Sequence, residues 1–280
     1  MTALHPVPID IISIQSQVVY GRAGNNAAIP ALEASGLRAV AVPTALLSNT
    51  PHYPTVHGGA VPEDWFAGWL DDVEARGVSA RARVVQVGFL GAPAQARIVA
   101  AWWARVRERH PRLRLYLDPV IGDYDYGVYA ADGMVEAWRT LLVPEAHGLA
   151  PNRFELEQLA GTRLADLDDC RRAARALLRG PTQWVVVTSA QNDPRGAIVQ
   201  TLLETREGAS FIFEQPRVAC EVKGIGDYFA ARLTAHVLHG AGLSAAVEQA
   251  CRDTAARLEH TRLLGWEELA IDVSSARSAP

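Results

Sequence analysis

The sequence predicts an α/β protein of three layers, α/β/α, with a mainly parallel central sheet. Two observations lead to this fold class. Short apolar, β-branched runs alternate with longer stretches that carry an apolar helical face along most of the 280 residues, as expected when helices cover both faces of a parallel sheet. Polar clusters also follow several of these runs directly. Because ligands bind beyond the carboxyl ends of parallel strands, the clusters predict one site at that end of the sheet.

The composition is that of an ordinary globular protein. Hydrophobic residues make up 49% and charged residues 21%, and the formal net charge is −4, so we expect neither nucleic-acid binding nor membrane binding. Cys170, Cys220 and Cys251 lack metal-ligand spacing and are expected to be reduced. The first residues show no signal-peptide pattern. We therefore expect a cytoplasmic protein with a single domain over residues 1–280.

Two strands are predicted near the amino terminus. A β-branched run at residues 9–14 predicts the first, and residues 15–26, rich in Gly and Asn, predict a polar segment before a short helix. Residues 37–42 predict the second strand, and residues 43–53 a surface loop. Each strand is thus expected to end where the polar residues begin.

The rest of the chain continues the alternation. Further strands are predicted at residues 84–90, 113–117, 149–152 and 184–189. Helices are predicted at residues 62–76, 94–109, 134–142, 155–161, 167–178 and 244–260, the last followed by a polar tail. Residues 197–203 and 210–213 predict a late hairpin. Residues 124–133, with three tyrosines and two glycines, predict a loop that covers the site.

Four tryptophans lie on two of the predicted helices. Trp65 and Trp69 are expected on the apolar, core-facing side of the first. Trp102 and Trp103 are adjacent, and neighbouring helical side chains point in different directions. One of this pair is therefore expected to meet a partner chain or a second layer.

The predicted site is arranged around Gly224, Ile225, Gly226 and Asp227. A helix is expected to begin near Gly226 or Asp227, and the first N–H groups of a helix bind anions because they have no partner within it. Asp227 either caps this helix or accepts a proton from a substrate hydroxyl while the amides hold a phosphoryl group. The polar clusters elsewhere favour the second hypothesis.

Those clusters share one position, the end of a predicted strand. They are Ser16, Asp118 with Asp123, Asn152 with Glu155, and Thr188 with Ser189. Each also has a structural interpretation. The spacing of Asn152 and Glu155 is that of a capping box. Asp118, which precedes Pro119, could end a strand in a turn, Asp123 could be a loop carboxylate, and Thr188 with Ser189 an ordinary polar strand end.

Together these stretches resemble the pyridoxal kinases, a branch of the ribokinase-like family of small-molecule kinases. Residues 13–25, Ser-Ile-Gln-Ser-Gln-Val-Val-Tyr-Gly-Arg-Ala-Gly-Asn, are similar to the amino-terminal signature of that branch. The other motifs follow in the family's order, and the similarity spans about residues 9–260. Gly-x-Gly-Asp marks only the wider family, so residues 13–25 select the vitamin B6 branch.

The resemblance implies how the acceptor substrate is bound and activated. Asp227 would take the proton from the 5′-hydroxyl of pyridoxal, and Gly224, Ile225 and Gly226 would form an anion hole for the γ-phosphoryl group of ATP. The residues implied to line the vitamin pocket, with Asp227, are Ser16, Thr44, Tyr53 and Phe89.

The resemblance also implies how ATP is held. Asp118, Asp123 and Glu155 would serve as magnesium ligands at the phosphate end of ATP, and Asn152 would hold the metal or its water. Thr188 and Ser189 would contact phosphates. Magnesium is required in this family, a potassium-type cation often assists, and the usual assembly is a homodimer. Oxygen ligands suit Mg²⁺, and phosphoryl transfer depends mainly on positioning and charge stabilisation.

Two departures from the family pattern bear on the substrate. Phe89 stands where pyridoxal kinases often have tyrosine, and Tyr228 and Phe229 follow Asp227 where small residues are common. Two alternatives stay open, a related kinase of hydroxymethylpyrimidine and a non-catalytic vitamin B6-binding protein. Residues 13–25 disfavour the first, and the carboxylate set disfavours the second, because a pure binder needs neither a base nor a metal site.

Overall fold

A large twisted sheet forms the centre of the computed structural model, which describes residues 6–191 and 196–271. The strands of these residues are, in chain order, β1 (Ile11–Val18), β2 (Ala39–Leu47), β3 (Gly58–Ala60), β4 (Val84–Val87), β5 (Arg114–Leu117), β6 (Gly122–Asp123), β7 (Gly127–Val128), β8 (Gly148–Leu149), β9 (Trp184–Val187), β10 (Ile198–Thr205) and β11 (Ser210–Pro216). β6 and β7 form a separate hairpin, and the other strands form one sheet in the order β11-β10-β9-β8-β5-β4-β1-β2-β3.

The sheet is mainly parallel. Six neighbouring strands, β2-β1-β4-β5-β8-β9, run in one direction, and the antiparallel strands β3, β10 and β11 lie at its two edges. β10 and β11 form the predicted late hairpin. β3 was not predicted, because its Gly-Gly-Ala sequence carries no apolar run.

Helices cover both faces of the sheet, which confirms the predicted three-layer fold class. They are α1 (Asn25–Glu33), α2 (Glu63–Ala75), α3 (Pro93–Arg109), α4 (Met134–Ala137), α5 (Arg153–Ala160), α6 (Leu167–Ala176), α7 (Ile225–Leu238) and α8 (Leu243–Leu264). After α4 the chain continues through a π-helical turn (Trp138–Leu142) and a 3₁₀ turn (Val143–Glu145). Ile12 and Ile14 pack in the core beneath α2, α3, α5 and α6, whereas Ile11 packs beneath α1, α7 and α8, as the alternation of side chains along a strand requires.

Two strands extend past their predicted ends, which is a correction of position for Ser16 and Thr44. β1 continues to Val18 and β2 to Leu47, so both residues lie inside strands and not in the loops after them. β1 pairs with β4 only as far as Ile14, and its polar last residues pair with β2 alone, past a register shift between Gln15 and Gln17. One-sided pairing tolerates polar residues that a buried parallel strand excludes.

The tryptophan predictions were partly wrong. Trp65 is 58% exposed, because Phe66 and Leu70, four residues apart, form the buried face of α2. Trp102 and Trp103 are both buried, and Trp102 donates a hydrogen bond to the carbonyl of Leu70 at 3.1 Å. Neither residue of this pair is available to a partner chain, because α3 is enclosed on two sides.

The segment after α8 is not the polar tail that the sequence predicted. Gly265 ends the helix in the left-handed conformation with φ 64°, and the chain then turns back so that Leu269, Ala270 and Ile271 are buried. The rest of the predicted tail, residues 272–280, lies outside the described residues. No helix within the described part of the chain combines the length and the apolar character needed to cross a membrane.

Candidate active site

The predicted polar clusters do meet at the carboxyl ends of the parallel strands. Asp118 follows β5 directly, Asn152 follows β8, and Thr188 follows β9. The amino-terminal end of α7 lies against the same ends of the strands, since Gly226 faces Asp118. This is the arrangement that the parallel sheet predicted.

Asp227 is held by a residue from the opposite end of the chain. It lies in the first turn of α7, whose preceding residue, Gly224, is in the left-handed conformation with φ 80°, and no side chain caps the helix. The carboxylate instead accepts a hydrogen bond from the backbone N–H of Gly24 at 2.7 Å. Asp227 therefore does not act as the cap that was its structural alternative, and its carboxylate is directed toward the β1 side of the site.

The pKa of Asp227 suits a proton acceptor near neutral pH. Burial raises it to about 6, although the hydrogen bond from Gly24 acts in the opposite direction. A carboxyl group with this pKa is ionised at pH 7 and is a stronger base than an exposed aspartate. The side chain thus has both the position and the protonation state that base catalysis needs.

Gly24 also brings Ser16 to the same place. It has φ 56°, and a Cβ atom there would lie 2.5 Å from Oγ of Ser16 and 2.2 Å from its carbonyl oxygen, so only glycine allows this approach. Gly224 makes a similar approach, since a Cβ atom on it would lie 1.6 Å from the carbonyl oxygen of Arg22. Sequence reasoning missed Gly24 as a site residue, although the glycine-rich segment 15–26 contained the signal.

Asp118 is the second carboxylate of the site. It is 8% exposed, and a Cβ atom on Gly226 would lie 3.9 Å from its Oδ2. Burial raises the pKa of Asp118 well above its usual value, and the charges of Glu155 and Asp227 raise it further. The buried Asp118 carboxylate is thus repelled by two other carboxylates, an arrangement that a bound cation would relieve.

Glu155 and Asn152 form the capping box that was their structural alternative. Asn152 Oδ1 accepts from the N–H of Glu155, and Glu155 Oε2 accepts from the N–H of Asn152, each at 2.8 Å. The other oxygen of Glu155 accepts from the N–H of Ile121 at 3.0 Å, and the Asn152 amide donates to the carbonyl of Gly122 at 2.9 Å. Burial nevertheless raises the pKa of Glu155. Both residues hold the segment that leads from Asp118 into the β6–β7 hairpin.

Asp123 lies in the β6–β7 hairpin, where its carboxylate is bonded to the backbone. Its Oδ1 accepts from the N–H groups of Asp125 and Tyr126 at 3.0 and 2.8 Å. Over residues 6–191 and 196–271, no group of three or more His, Cys, Asp and Glu side chains is placed to hold a metal ion. The metal site predicted at Asp118, Asp123 and Glu155 stays a prediction, and here backbone N–H groups bond the carboxylates of Asp123 and Glu155.

Thr188 and Ser189 reach the same cluster. Thr188 forms an isolated parallel bridge with Asn152, and its N–H donates to the carbonyl of Pro151 at 3.0 Å. Ser189 is exposed and has φ 49°, a conformation that costs a side-chain-bearing residue about 1–3 kcal/mol. Such strain tends to occur where a site requires it, which supports a binding role for this turn.

The residues predicted to line the vitamin pocket form two groups. Thr44 is fully buried and donates its hydroxyl to the carbonyl of Phe89 at 2.6 Å, while Phe89 itself is half-buried. Tyr53 is half-buried and donates its hydroxyl to Glu268 at 2.8 Å. The hydroxyls of Thr44 and Tyr53 thus have protein partners. Glu268 was missed, since nothing near it in the sequence marks this contact.

Two further groups lie next to the β6–β7 hairpin, one directly after it and one in the loop before α7. The pKa of Tyr129 is raised by burial of its hydroxyl and, to a smaller extent, by the charges of Glu155, Asp123, Asp118 and Asp227. Lys223, the one lysine in the sequence, places Nζ 4.1 Å from the centroid of the Tyr126 ring. The hairpin is thereby connected to the loop that carries Asp227.

Comparison with known proteins agrees with this geometry. The family model described as phosphomethylpyrimidine kinase matches residues 19–270. A pyridoxine/pyridoxal/pyridoxamine kinase of Bordetella avium is 51% identical over 94% of this chain and 89% of the relative. A pyridoxal kinase, PdxY, of Rubrobacter xylanophilus is 33% identical over 93% of this chain and 90% of the relative.

A solved structure extends the likeness to three dimensions. Pyridoxal kinase from Leishmania donovani, in complex with ADP and pyridoxine, has a TM-score of 0.84 and 28% identity, and the match covers 94% of this chain and 90% of that one. The ribokinase-like fold class and the resemblance to pyridoxal kinases are both confirmed. This chain belongs to the phosphomethylpyrimidine kinase family.

Proposed function

We propose that this protein transfers the γ-phosphoryl group of ATP to the 5′-hydroxyl of pyridoxal, and also of pyridoxine and pyridoxamine. One observation carries the proposal: the Asp227 carboxylate, with a pKa of about 6, lies at the amino-terminal end of α7 and is held by Gly24. The kinases of Bordetella avium and Rubrobacter xylanophilus support the choice of vitamin B6 compounds as acceptors.

Asp227 acts as the general base. It removes the proton from the acceptor hydroxyl as the oxygen attacks the γ-phosphorus, and the bond from that phosphorus to the oxygen of ADP breaks. The N–H groups around Gly224, Ile225 and Gly226 stabilise the charge on the transferring group, because the amino-terminal end of a helix carries unpaired donors and a positive partial charge. A correctly placed base contributes about 10²–10⁴-fold to such a reaction.

Mg²⁺ fits the donor set on the opposite side of the site. Mg²⁺ keeps several waters and takes one or two carboxylates together with substrate phosphates, so the lack of a three-carboxylate cage does not count against it. Asp118 would contact the ion directly. Glu155 and Asp123 would contribute negative charge from behind Asp118, and Asn152 would contact a water bound to the ion. When bound, the ion neutralises charge on the phosphates of ATP. Thr188 and Ser189 would contact those phosphates, and a potassium-type cation would assist.

The vitamin pocket lies on the β1–β2 side. Ser16 supplies a small hydroxyl beside Asp227, as its approach to Gly24 indicates. Thr44 acts indirectly by fixing the backbone of Phe89, and Phe89 forms an apolar wall. Tyr53 contributes its ring, because its hydroxyl is bonded to Glu268.

We further propose a homodimer through the β2–β3 edge of the sheet. Val19, Leu46 and Val56 are 89%, 47% and 43% exposed, and β3 is an edge strand. Exposed apolar side chains next to an unpaired strand favour association with a second copy. The continuous sheet supports a single domain over residues 1–280, and the free cysteines Cys170, Cys220 and Cys251 support a reducing, cytoplasmic location.

A hydroxymethylpyrimidine kinase is the second candidate, favoured by the description of the matching family model. Both candidates use the same base, so acceptor preference separates them. The decisive experiment measures ATP- and Mg²⁺-dependent phosphorylation of pyridoxal, pyridoxine, pyridoxamine and hydroxymethylpyrimidine by the wild-type protein. A higher kcat/KM for a B6 compound than for hydroxymethylpyrimidine supports the proposal. A higher kcat/KM for hydroxymethylpyrimidine overturns it. Binding of pyridoxal without turnover of any acceptor would support the alternative of a non-catalytic vitamin B6-binding protein.

A further inference from the structure

The segment after α8 contacts both loops that border the vitamin side of the site. Its apolar residues, Leu269 and Ile271, are 1% and 5% exposed and are packed in the core with α1, α7 and α8. The N–H of Ala270 donates to Thr261 Oγ1 at 3.1 Å, which fixes the turn back onto α8. Glu268 therefore extends from a well-anchored backbone.

The Glu268 carboxylate accepts two hydrogen bonds from different loops. Oε2 accepts from the N–H of Arg22, after β1, at 2.9 Å, and Oε1 accepts from the hydroxyl of Tyr53, after β2, at 2.8 Å. Gly21, with φ 109°, permits the contact, since a Cβ atom there would lie 2.8 Å from Oε1 of Glu268. Hydrogen bonds to a carboxylate are stronger than those between neutral groups.

The loop that Glu268 holds is the one that reaches the base. The carbonyl of Arg22 packs against Gly224, and two residues later Gly24 donates to Asp227 and packs on Ser16. A shift of Arg22 would therefore move the partners of both the base and the acceptor pocket. Neither contact involves the Asn152–Thr188 side of the site.

We infer that Glu268 is a positioning residue for the acceptor substrate, acting through Arg22 and Tyr53 on the Ser16 pocket and on Asp227. This inference rests on the proposed function, since it concerns binding and turnover of the acceptor. It assigns a role in the reaction to a part of the chain that carries no sequence motif.

The test compares Glu268→Ala and Glu268→Gln with Glu267→Ala. Glu267 is the comparison residue, because it is the adjacent glutamate and bonds the Tyr20 hydroxyl, at 2.7 Å, but neither Arg22 nor Tyr53; the Tyr20 ring does lie edge-on to the Tyr53 ring. Loss of two charge-assisted bonds in Glu268→Ala should raise the KM for pyridoxal about tenfold and lower kcat severalfold, with the KM for ATP within about twofold of wild type. Glu268→Gln should show a smaller effect, because a glutamine offers one acceptor oxygen in place of two. Glu267→Ala should raise the KM for pyridoxal far less than Glu268→Ala, because it leaves the bonds to Arg22 and Tyr53 in place.

Tyr53→Phe is the second, milder variant, which removes one of the two bonds and leaves the carboxylate in place. It should raise the KM for pyridoxal by a few-fold and leave the KM for ATP unchanged. The melting temperature of each variant is measured alongside. Folded Glu268 and Tyr53 variants with wild-type constants would overturn the inference, as would equal increases in both KM values. If the wild-type protein phosphorylates no B6 compound, the proposed function is wrong and the inference fails with it. If the wild type is active and the variants have wild-type constants, only the inference is wrong.

Discussion

The backbone N–H of Gly24 donates a hydrogen bond of 2.7 Å to Oδ2 of Asp227, which lies 203 residues further along the chain. The bond fixes the orientation of the carboxylate without neutralising it, because an amide carries no net charge. It also connects the amino-terminal segment, residues 13–25, with the Gly-x-Gly-Asp motif at residues 224–227.

Asp227→Asn should lower kcat by about 10²-fold or more while leaving the Kd for ATP nearly unchanged. The amide keeps an oxygen that can accept from Gly24 but cannot take the hydroxyl proton. Steady-state kinetics and calorimetric ATP binding measure the two effects, with Asp64→Asn, an exposed residue in the first turn of α2, as the control. A near-normal kcat in Asp227→Asn would remove the base assignment.

The kcat/KM for pyridoxal should fall as the pH is lowered through about 6, because protonated Asp227 cannot accept the hydroxyl proton. A pH–rate profile on the wild type should show this acidic limb with a slope of one proton. The residual activity of Asp227→Asn should lack the limb. A limb that persists in the variant would belong to another group or to the substrate.

Asp227→Asn should also stabilise the protein above pH 6. The folded-state pKa of Asp227, about 6, is higher than the ordinary aspartate value of 3.8, so folding favours the protonated carboxyl. Stability from this group is present at low pH and is lost as the pH rises through 6. Removal of the charge should therefore add about 1–3 kcal/mol to the free energy of unfolding at pH 8 and less at pH 5.

Urea denaturation at the two pH values measures this difference, and Asp118→Asn should behave in the same direction because the pKa of Asp118 is also raised. Asp64→Asn should give no such gain. Equal stability of wild type and both site variants at pH 8 would mean that the buried charge is already compensated.

Ser16→Ala should raise the KM for pyridoxal, whereas Ser189→Ala should raise the KM for ATP. Ser16 lies beside Gly24 and Asp227 on the vitamin side, so its loss should raise the KM for pyridoxal several-fold, as expected for one hydrogen bond of about 0.5–1.5 kcal/mol. Ser189 lies in the turn after β9, so its loss should raise the KM for ATP. Kinetics with each substrate varied in turn decide, and a reversal of the two effects would exchange the assigned sides of the site.

The contact between Lys223 and the Tyr126 ring should stabilise the β6–β7 hairpin. Lys223→Gln removes the cation from the Tyr126 ring and should speed amide hydrogen exchange in residues 122–129 by about two- to fivefold, whereas Lys223→Arg should not. In the wild type, an ATP analogue with pyridoxal should slow exchange in residues 124–133 if this segment closes over the substrates. Identical exchange with and without ligands would leave it an ordinary surface loop.

The sheet could be predicted from the sequence because buried parallel strands are short apolar runs, as in β4 and β9. The ends of β1 and β2 could not, because the polar end of β1 pairs with β2 alone past Ile14, and the end of β2 pairs with β3, which carries no strand signal in the sequence. Among the site residues, Asp227 and Asp118 were found through the glycine motif and the strand ends. Gly24 lies in a glycine-rich segment that was recognised, but its bond to Asp227, like the bonds of Glu268, joins distant parts of the chain and leaves no local pattern.

The contacts of Arg22 with Gly224 and Glu268 bear on how the protein folds. The acceptor pocket depends on residues near positions 22, 224 and 268, and the bond between Arg22 and Glu268 spans 246 residues. Closing loops of this length costs conformational entropy before the contacts are made, so proteins rich in such contacts fold slowly. The acceptor pocket should therefore become ordered late in refolding, after the local helices have formed.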